Sequence, residues 1–200
     1  MTGPASRRGL LALPLLAAGC SLLPDRPYLD RERFVLAPRR PGPPAARRTP
    51  RTILVRTLRG APAMDRRGLR SVRADGTETL DFYAEWAAAP LDATEQALRD
   101  WLNATGLFTA VLAPGTRAEP GLIMEAELTE LTAFVDDGEA RAALSVVLLD
   151  GHGRVLRQVV PTGRAPLPER GGTPPAEARA AAMNAALGQA FTALEAALPR

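Results

Sequence analysis

The chain has 200 residues, of which 46% are hydrophobic and 4% aromatic, and its single cysteine excludes an intramolecular disulfide. All 25 basic residues are arginine, so a phosphate-binding loop, which needs a lysine to reach the nucleotide phosphates, is excluded, and with it an ATPase role. The formal net charge of +3 conceals a basic front and an acidic body: residues 26–73 hold 14 Arg against Asp30, Glu32 and Asp65, whereas residues 74–200 hold 9 Arg against 18 acids. A solvated Arg-rich linker accounts for the front; contact with anionic lipid head groups, at about 1 kcal/mol per Arg, is the alternative. Few aromatics interleave with the arginines, which argues against nucleic acid as a partner.

At the amino terminus, Arg7 and Arg8 precede an apolar run over residues 9–18, interrupted only by Pro14. A bilayer core of about 30 Å needs roughly 20 apolar residues in a helix, so the run fits a signal-peptide core and not a span. It ends in Ala17-Ala18-Gly19-Cys20, small residues before a thiol. This resembles the bacterial lipobox, with Ala17 where Leu is commoner. An exposed free thiol is a liability in an oxidising compartment, and acylation of Cys20 resolves it. Residues 1–19 are thus expected to be a lipoprotein signal peptide and Cys20 the lipidation site. Stable anchoring takes more than one acyl chain. Ser21, rather than Asp, after the cysteine points to the periplasmic face of the outer membrane.

Residues 20–50 read as a tether because Pro24, Pro27, Pro38, Pro41, Pro43, Pro44 and Pro50 keep such a segment extended. Phe34-Val35-Leu36 is an apolar island within it, a candidate edge strand that Pro38 would stop. The folded domain is expected over residues 51–200. Strands are read at 52–58, which is β-branched, and at 68–73. After the turn signal Asp75-Gly76 a third runs over 78–86, with Leu80, Phe82 and Ala84 on one side and Asp81, Tyr83 and Glu85 on the other. Pro90 then breaks the chain. Asp92 and Glu95 have capping-box spacing. Ala97, Leu98, Trp101 and Leu102 form one helical face, and Gly106 is a C-cap. Further strands are read at 107–112, 122–134, 141–149 and 154–162. That at 141–149 is apolar on both sides and so expected to be central. A last helix over 175–198 carries the stripe Met183, Leu187, Phe191, Leu194 and Leu198. The fold class is a single-domain α+β protein: a mixed, mainly antiparallel sheet with two amphipathic helices packed on one face.

Catalytic groups do not assemble in the sequence. His152 is the only histidine and lies between two glycines in a turn. Ser6, Ser21, Ser71 and Ser145 fit no nucleophile elbow, and no ligand set has metal spacing. Glu125, Glu127 and Glu130 resemble a carboxylate cluster, but the first two share one strand face, whose expected role is the wet or interface side of the sheet. The protein is therefore expected to be no enzyme and to need no cofactor beyond the covalent lipid on Cys20. Trp101 and Trp86 are expected in the core, with an interface anchor as the alternative role.

The ordered set of lipobox, Pro-rich tether, Thr52-Ile53-Leu54-Val55, Asp81-Phe82-Tyr83-Ala84-Glu85-Trp86 with Pro90, and Gly106-Leu107-Phe108 resembles the ABC-type transport auxiliary lipoproteins of the PqiC type. The likeness covers roughly residues 20–198. One departure is Glu85, where a basic residue is expected before the tryptophan. The resemblance implies a non-enzymatic subunit of an MCE/ABC-type envelope lipid transport system. Such a subunit docks the periplasmic MCE-domain conduit, served by an ABC permease and ATPase, at the outer membrane, and Tyr83, Glu85 and Trp86 are the candidate partner-facing residues. Homo-oligomerisation is left open. The alternative is an assembly or plug lipoprotein for an outer-membrane β-barrel, as in lipopolysaccharide export.

Overall fold

A computed structural model describes residues 30–45, 49–168 and 172–199. Cys20 and the expected signal peptide lie outside the described residues. One compact unit begins at Arg31 and runs to the end of the chain.

The architecture is α+β, as the patterning implies. Its spine is β7 (Leu122–Phe134), the longest strand. Along one edge β7 pairs antiparallel with β8 (Glu139–Asp150), in register from Leu122 opposite Asp150 to Phe134 opposite Glu139. Along the other edge the chain runs parallel to β7 in three pieces, β2 (Thr52–Val55), β3 (Arg59–Gly60) and β4 (Gly68–Val72). The strand read at 52–58 is therefore shorter; the Arg56 amide still donates to the Met124 carbonyl at 3.0 Å, and the chain rejoins the ladder at β3. Beyond β2 lies β6 (Ala110–Leu112). Beyond β4 lies β5 (Glu78–Trp86), antiparallel, and beyond β5 lies β1 (Glu32–Phe34), parallel. The expected strand at 107–112 shrinks to β6 because Leu107 and Phe108 turn into the core.

Strand β8 is central, as its two apolar sides imply. Its far edge carries β9 (Val155–Val159) and then β10 (Thr162–Pro166). The single strand read at 154–162 is thus two. Pro161 separates them, and its carbonyl still accepts the Leu144 amide at 3.0 Å.

A β-bulge at Leu128/Glu130 lets the spine keep one buried face. Leu122, Met124, Ala126 and Leu128 face inward, and Leu131 and Ala133 would face outward if strict alternation continued. The extra residue restores their burial. Opposite them Ala140, Ala142, Leu144, Val146 and Leu148 complete the buried face.

Two helices cover it. Helix α1 (Pro90–Thr105) buries Leu98, Trp101 and Leu102, and ends at Gly106 in the left-handed region with φ 65°. The capping box does not form. Pro90 occupies the first helical position, where its missing N–H costs nothing, so Asp92 falls inside the first turn and no side chain caps the helix. Glu95 instead accepts the Leu58 amide at 2.8 Å and pairs with Arg99. Helix α2 (Ala176–Ala197), 22 residues and roughly 33 Å long, buries Met183, Leu187, Phe191 and Leu194. Phe191 meets Trp101 edge-to-face at 5.3 Å, a geometry worth about 0.5–1.5 kcal/mol beyond area burial. Helix α2 lies almost on the backbone of β10: a Cβ on Gly163 would come 2.0 Å from the Ala186 carbonyl oxygen.

The folded unit reaches further back than residue 51. Residues 31–45 belong to it, because long-range contacts hold an aperiodic, Pro-rich segment down. Leu36 is buried. The Ala37 amide donates to Asn184 Oδ1 at 2.7 Å, and Asn184 Nδ2 donates to the Val35 carbonyl at 3.1 Å. Arg40 forks onto Glu195 at 2.9 and 2.7 Å, and the same carboxylate accepts the Trp101 indole N–H at 2.9 Å. Arg40 also donates to the carbonyls of Gly42 and Pro43. One carboxylate therefore ties this strap to both helices.

Candidate functional site

The most distinctive segment of the resemblance, residues 81–86, lies on β5, and its geometry is unusual. Glu78, Thr79 and Leu80 pair regularly with Val72, Ser71 and Arg70. The next pair in the ladder is Glu85 with Gly68, so residues 81–84 stand opposite Leu69 alone, with Phe82 and Tyr83 turned outward and Ala84 buried. Two features hold the loop. Gly68 lets the chain approach closely: a Cβ there would lie 2.6 Å from the Asp81 carbonyl oxygen. Asp81 closes the turn, its Oδ1 accepting the amides of Tyr83 at 3.0 Å and Ala84 at 3.1 Å.

The other carboxylate oxygen reaches into the protein. Asp81 Oδ2 accepts Arg179 Nη2 at 2.7 Å, and Arg179 Nη1 donates to Ser71 Oγ at 2.9 Å. The Arg179 side chain, on α2, is only 7% exposed. Burial pushes the Asp81 carboxyl upward, but hydrogen bonds from Arg179, Tyr83 and Ala84 and the Arg179 charge outweigh it, so its pKa sits below the ordinary value. The bulge is pinned from within by a charged pair.

The consequence is an exposed aromatic pair. Phe82 is 65% and Tyr83 46% exposed, and their rings meet edge-to-face at 5.1 Å. Alternation assigned Phe82 to the side of Leu80 and Ala84; the bulge turns it to solvent. A signal for this was present in Asp81, a residue poorly suited to strand interiors and prone to bond its own backbone. The Arg31 guanidinium lies 4.4 Å above the Phe82 ring, where cation–π attraction favours it.

The remaining predicted residues separate by environment. Trp86 is 1% exposed and belongs to the core, not to a partner-facing surface. The ladder returns to regular pairing at Glu85, and the Trp86 amide donates to the Arg67 carbonyl at 2.8 Å. Glu85 pairs across the sheet with Arg33 on β1 at 2.9 Å, its side chain only 13% exposed. Its departure from the basic residue expected there is thus answered inside the fold. Of the three predicted interface residues, Tyr83 alone is open to a partner. Phe82, Arg31 and Arg33 join it there, the arginines having been read as linker.

His152 is exposed in its turn, its amide donating to Asp150 Oδ1 at 2.9 Å. Glu125, Glu127 and Glu130 all pair with odd-numbered positions of β8 (Val147, Ser145 and Ala143), so the bulge in β7 puts all three on one face. Glu125 is ion-paired with Arg56. Among the described residues no group of three or more His, Cys, Asp or Glu could hold a metal ion, and no helix is long and apolar enough to cross a membrane.

A second exposed apolar area lies at β9, where Val155 and Leu156 and, just past the strand, Val160 are open to solvent. In the described sheet β9 pairs only with β8, which leaves its outer ladder unpaired.

No family model matches the chain, and no curated protein matches it. Solved structures do. The crystal structure of a Xanthomonas campestris protein of family DUF330 superposes with a TM-score of 0.68 at 20% identity, covering 80% of this chain and 91% of that one. That of a second, uncharacterised protein superposes with a TM-score of 0.64 at 11% identity, covering 84% and 97%. At these identities the likeness establishes the α+β fold.

Proposed function

We propose that the chain is a non-enzymatic, lipid-anchored subunit of an MCE/ABC-type envelope lipid transport system, of the PqiC type, and that it docks the periplasmic MCE conduit at the outer membrane. The observation that carries the reading is the bulge on β5. The segment most distinctive of the auxiliary lipoproteins is here a built surface feature, with Gly68 and the Asp81–Arg179 pair spent on presenting Phe82 and Tyr83. A side-chain network that fixes a display of exposed aromatics suits a protein that binds rather than reacts. The fold shared with the DUF330 protein over most of both chains is compatible with this reading. Cys20 supplies the anchor, and residues 21–30 the remaining spacer.

Pull-down of the lipidated protein from envelopes tests it. An MCE-domain protein should be recovered, and permease and ATPase genes should lie beside the encoding gene. The second reading, a plug or assembly lipoprotein for a β-barrel, is favoured by the unpaired edge of β9, since such an edge can accept another strand. Recovery of a barrel without an MCE protein would establish that alternative.

A further inference from the structure

The chain enters the folded unit at its exposed aromatic pair. Arg31 is the first residue of the unit, and its guanidinium rests on Phe82. Arg33, two residues on, is 62% exposed at its side chain while paired with Glu85. Only ten residues, 21–30, separate Arg31 from Cys20, a stretch that spans at most about 40 Å even when fully extended. A lipid-anchored chain of this length cannot carry its first folded residue far from the head groups.

We propose that Phe82 and Tyr83, with Arg31 beside them, form a membrane-contact patch that seats the domain against the lipid head groups with β1 and the β5 bulge facing the bilayer. The inference rests on the lipid-anchor reading of Cys20. Three observations select the membrane as the occupant. The first is position: the patch lies where the anchored segment joins the fold, with the exposed Val35 directly after β1, whereas Val155 and Leu156 on β9 and Val160 just past it lie at the opposite edge of the sheet. The second is chemistry. A phenyl ring beside a phenol fits the boundary between acyl chains and water, where amphipathic aromatics concentrate. The third is charge. Arg31, Arg33, Arg66 and Arg67 at this end of the sheet are balanced by Asp30, Glu32, Asp65 and Glu85, the last engaged by Arg33. No net negative charge repels anionic head groups, and the aromatics carry the contact. The bulge at residues 81–84 then has a purpose: it turns the rings of Phe82 and Tyr83 out of the sheet so that they reach about 5–10 Å into the interface.

The single cysteine makes the test direct. In the full lipidated chain Cys20 is acylated, so Phe82→Cys introduces one free thiol for an environment-sensitive fluorophore, and Val155→Cys provides the same probe on β9. Both proteins are reconstituted in vesicles of phosphatidylethanolamine and phosphatidylglycerol carrying nitroxide-labelled head groups. The probe at position 82 should shift to the blue and be quenched several-fold more than that at 155. Equal quenching at the two positions overturns the proposal. So does a probe at 82 that stays aqueous on vesicles and becomes shielded only when the conduit protein is added, because the patch is then a protein interface. Failure of the anchor reading shows itself separately: mass spectrometry would find Cys20 unacylated and the protein would not float with vesicles at all.

Discussion

Replacing Asp81 by alanine removes three hydrogen bonds at once, two from the amides of Tyr83 and Ala84 and one from Arg179. The exposed Tyr83 amide regains water, while the part-buried Ala84 amide loses its acceptor. Arg179 regains no water, because its side chain is 7% exposed and keeps only Ser71 as a partner. Stranding a buried charge costs about 3–5 kcal/mol, and the lower end applies here because Asp81 is itself a quarter exposed. A loss of about 3 kcal/mol lowers Tm by roughly 6–12 °C in a domain of this size. Thermal unfolding followed by circular dichroism at neutral pH reads the shift directly. The double variant Asp81→Ala/Arg179→Met removes both charges and should recover part of the loss, a coupling that a double-mutant cycle measures. The effect also has a pH signature. The Asp81 pKa is depressed in the fold, so its contribution is complete above the unfolded value of about 3.9 and disappears as pH falls through the folded one. Wild type and Asp81→Ala should therefore differ fully at pH 7 and converge in strong acid. A shift below about 2 °C at neutral pH, or additive losses in the cycle, would refute the claim that this pair pins the bulge.

Two other perturbations follow from close contacts. Gly163→Ala should destabilise the protein by driving a methyl group into the Ala186 carbonyl on α2; an unchanged melting temperature would mean that the helix stands further from β10. Arg40→Ala should release the strap without unfolding the core, so that the Ala37 and Ala45 amides, which donate to Asn184 and to the Thr105 carbonyl, exchange faster with solvent while α1 and α2 stay protected. Unchanged exchange across the strap would show that Leu36 and Asn184 suffice to hold it.

The elements with strong periodicity were legible in the sequence. Turn signals and alternation mark residues 78–86 and 122–134, which are the bounds of β5 and β7, and the stripe from Met183 to Leu194 is the buried face of α2. What escaped was non-local. The strap from 35 to 45 has no period of its own and is held by Asn184 and Glu195, some 150 positions away in the chain. The spacing of Asp92 and Glu95 suggests a local cap, yet the Glu95 carboxylate serves the Leu58 amide from another element. In β5 the alternation was true of Ala84 and Trp86 and false of Phe82, because Asp81 bonds its own backbone and breaks the pleat between them. Arg179 gave no signal at all, since an arginine in an Ala-rich helix reads as a surface residue until its partner on β5 is known.

The proposed docking of a transport conduit is tested most directly by comparing the lipidated chain with Cys20→Ala in the native envelope. The wild-type protein should fractionate with the outer membrane and bring down an MCE-domain protein, while Cys20→Ala should remain folded, leave the membrane and fail to support transport. An acylated, correctly placed protein that recovers no MCE-domain partner, or a Cys20→Ala variant that sustains full transport, would contradict it.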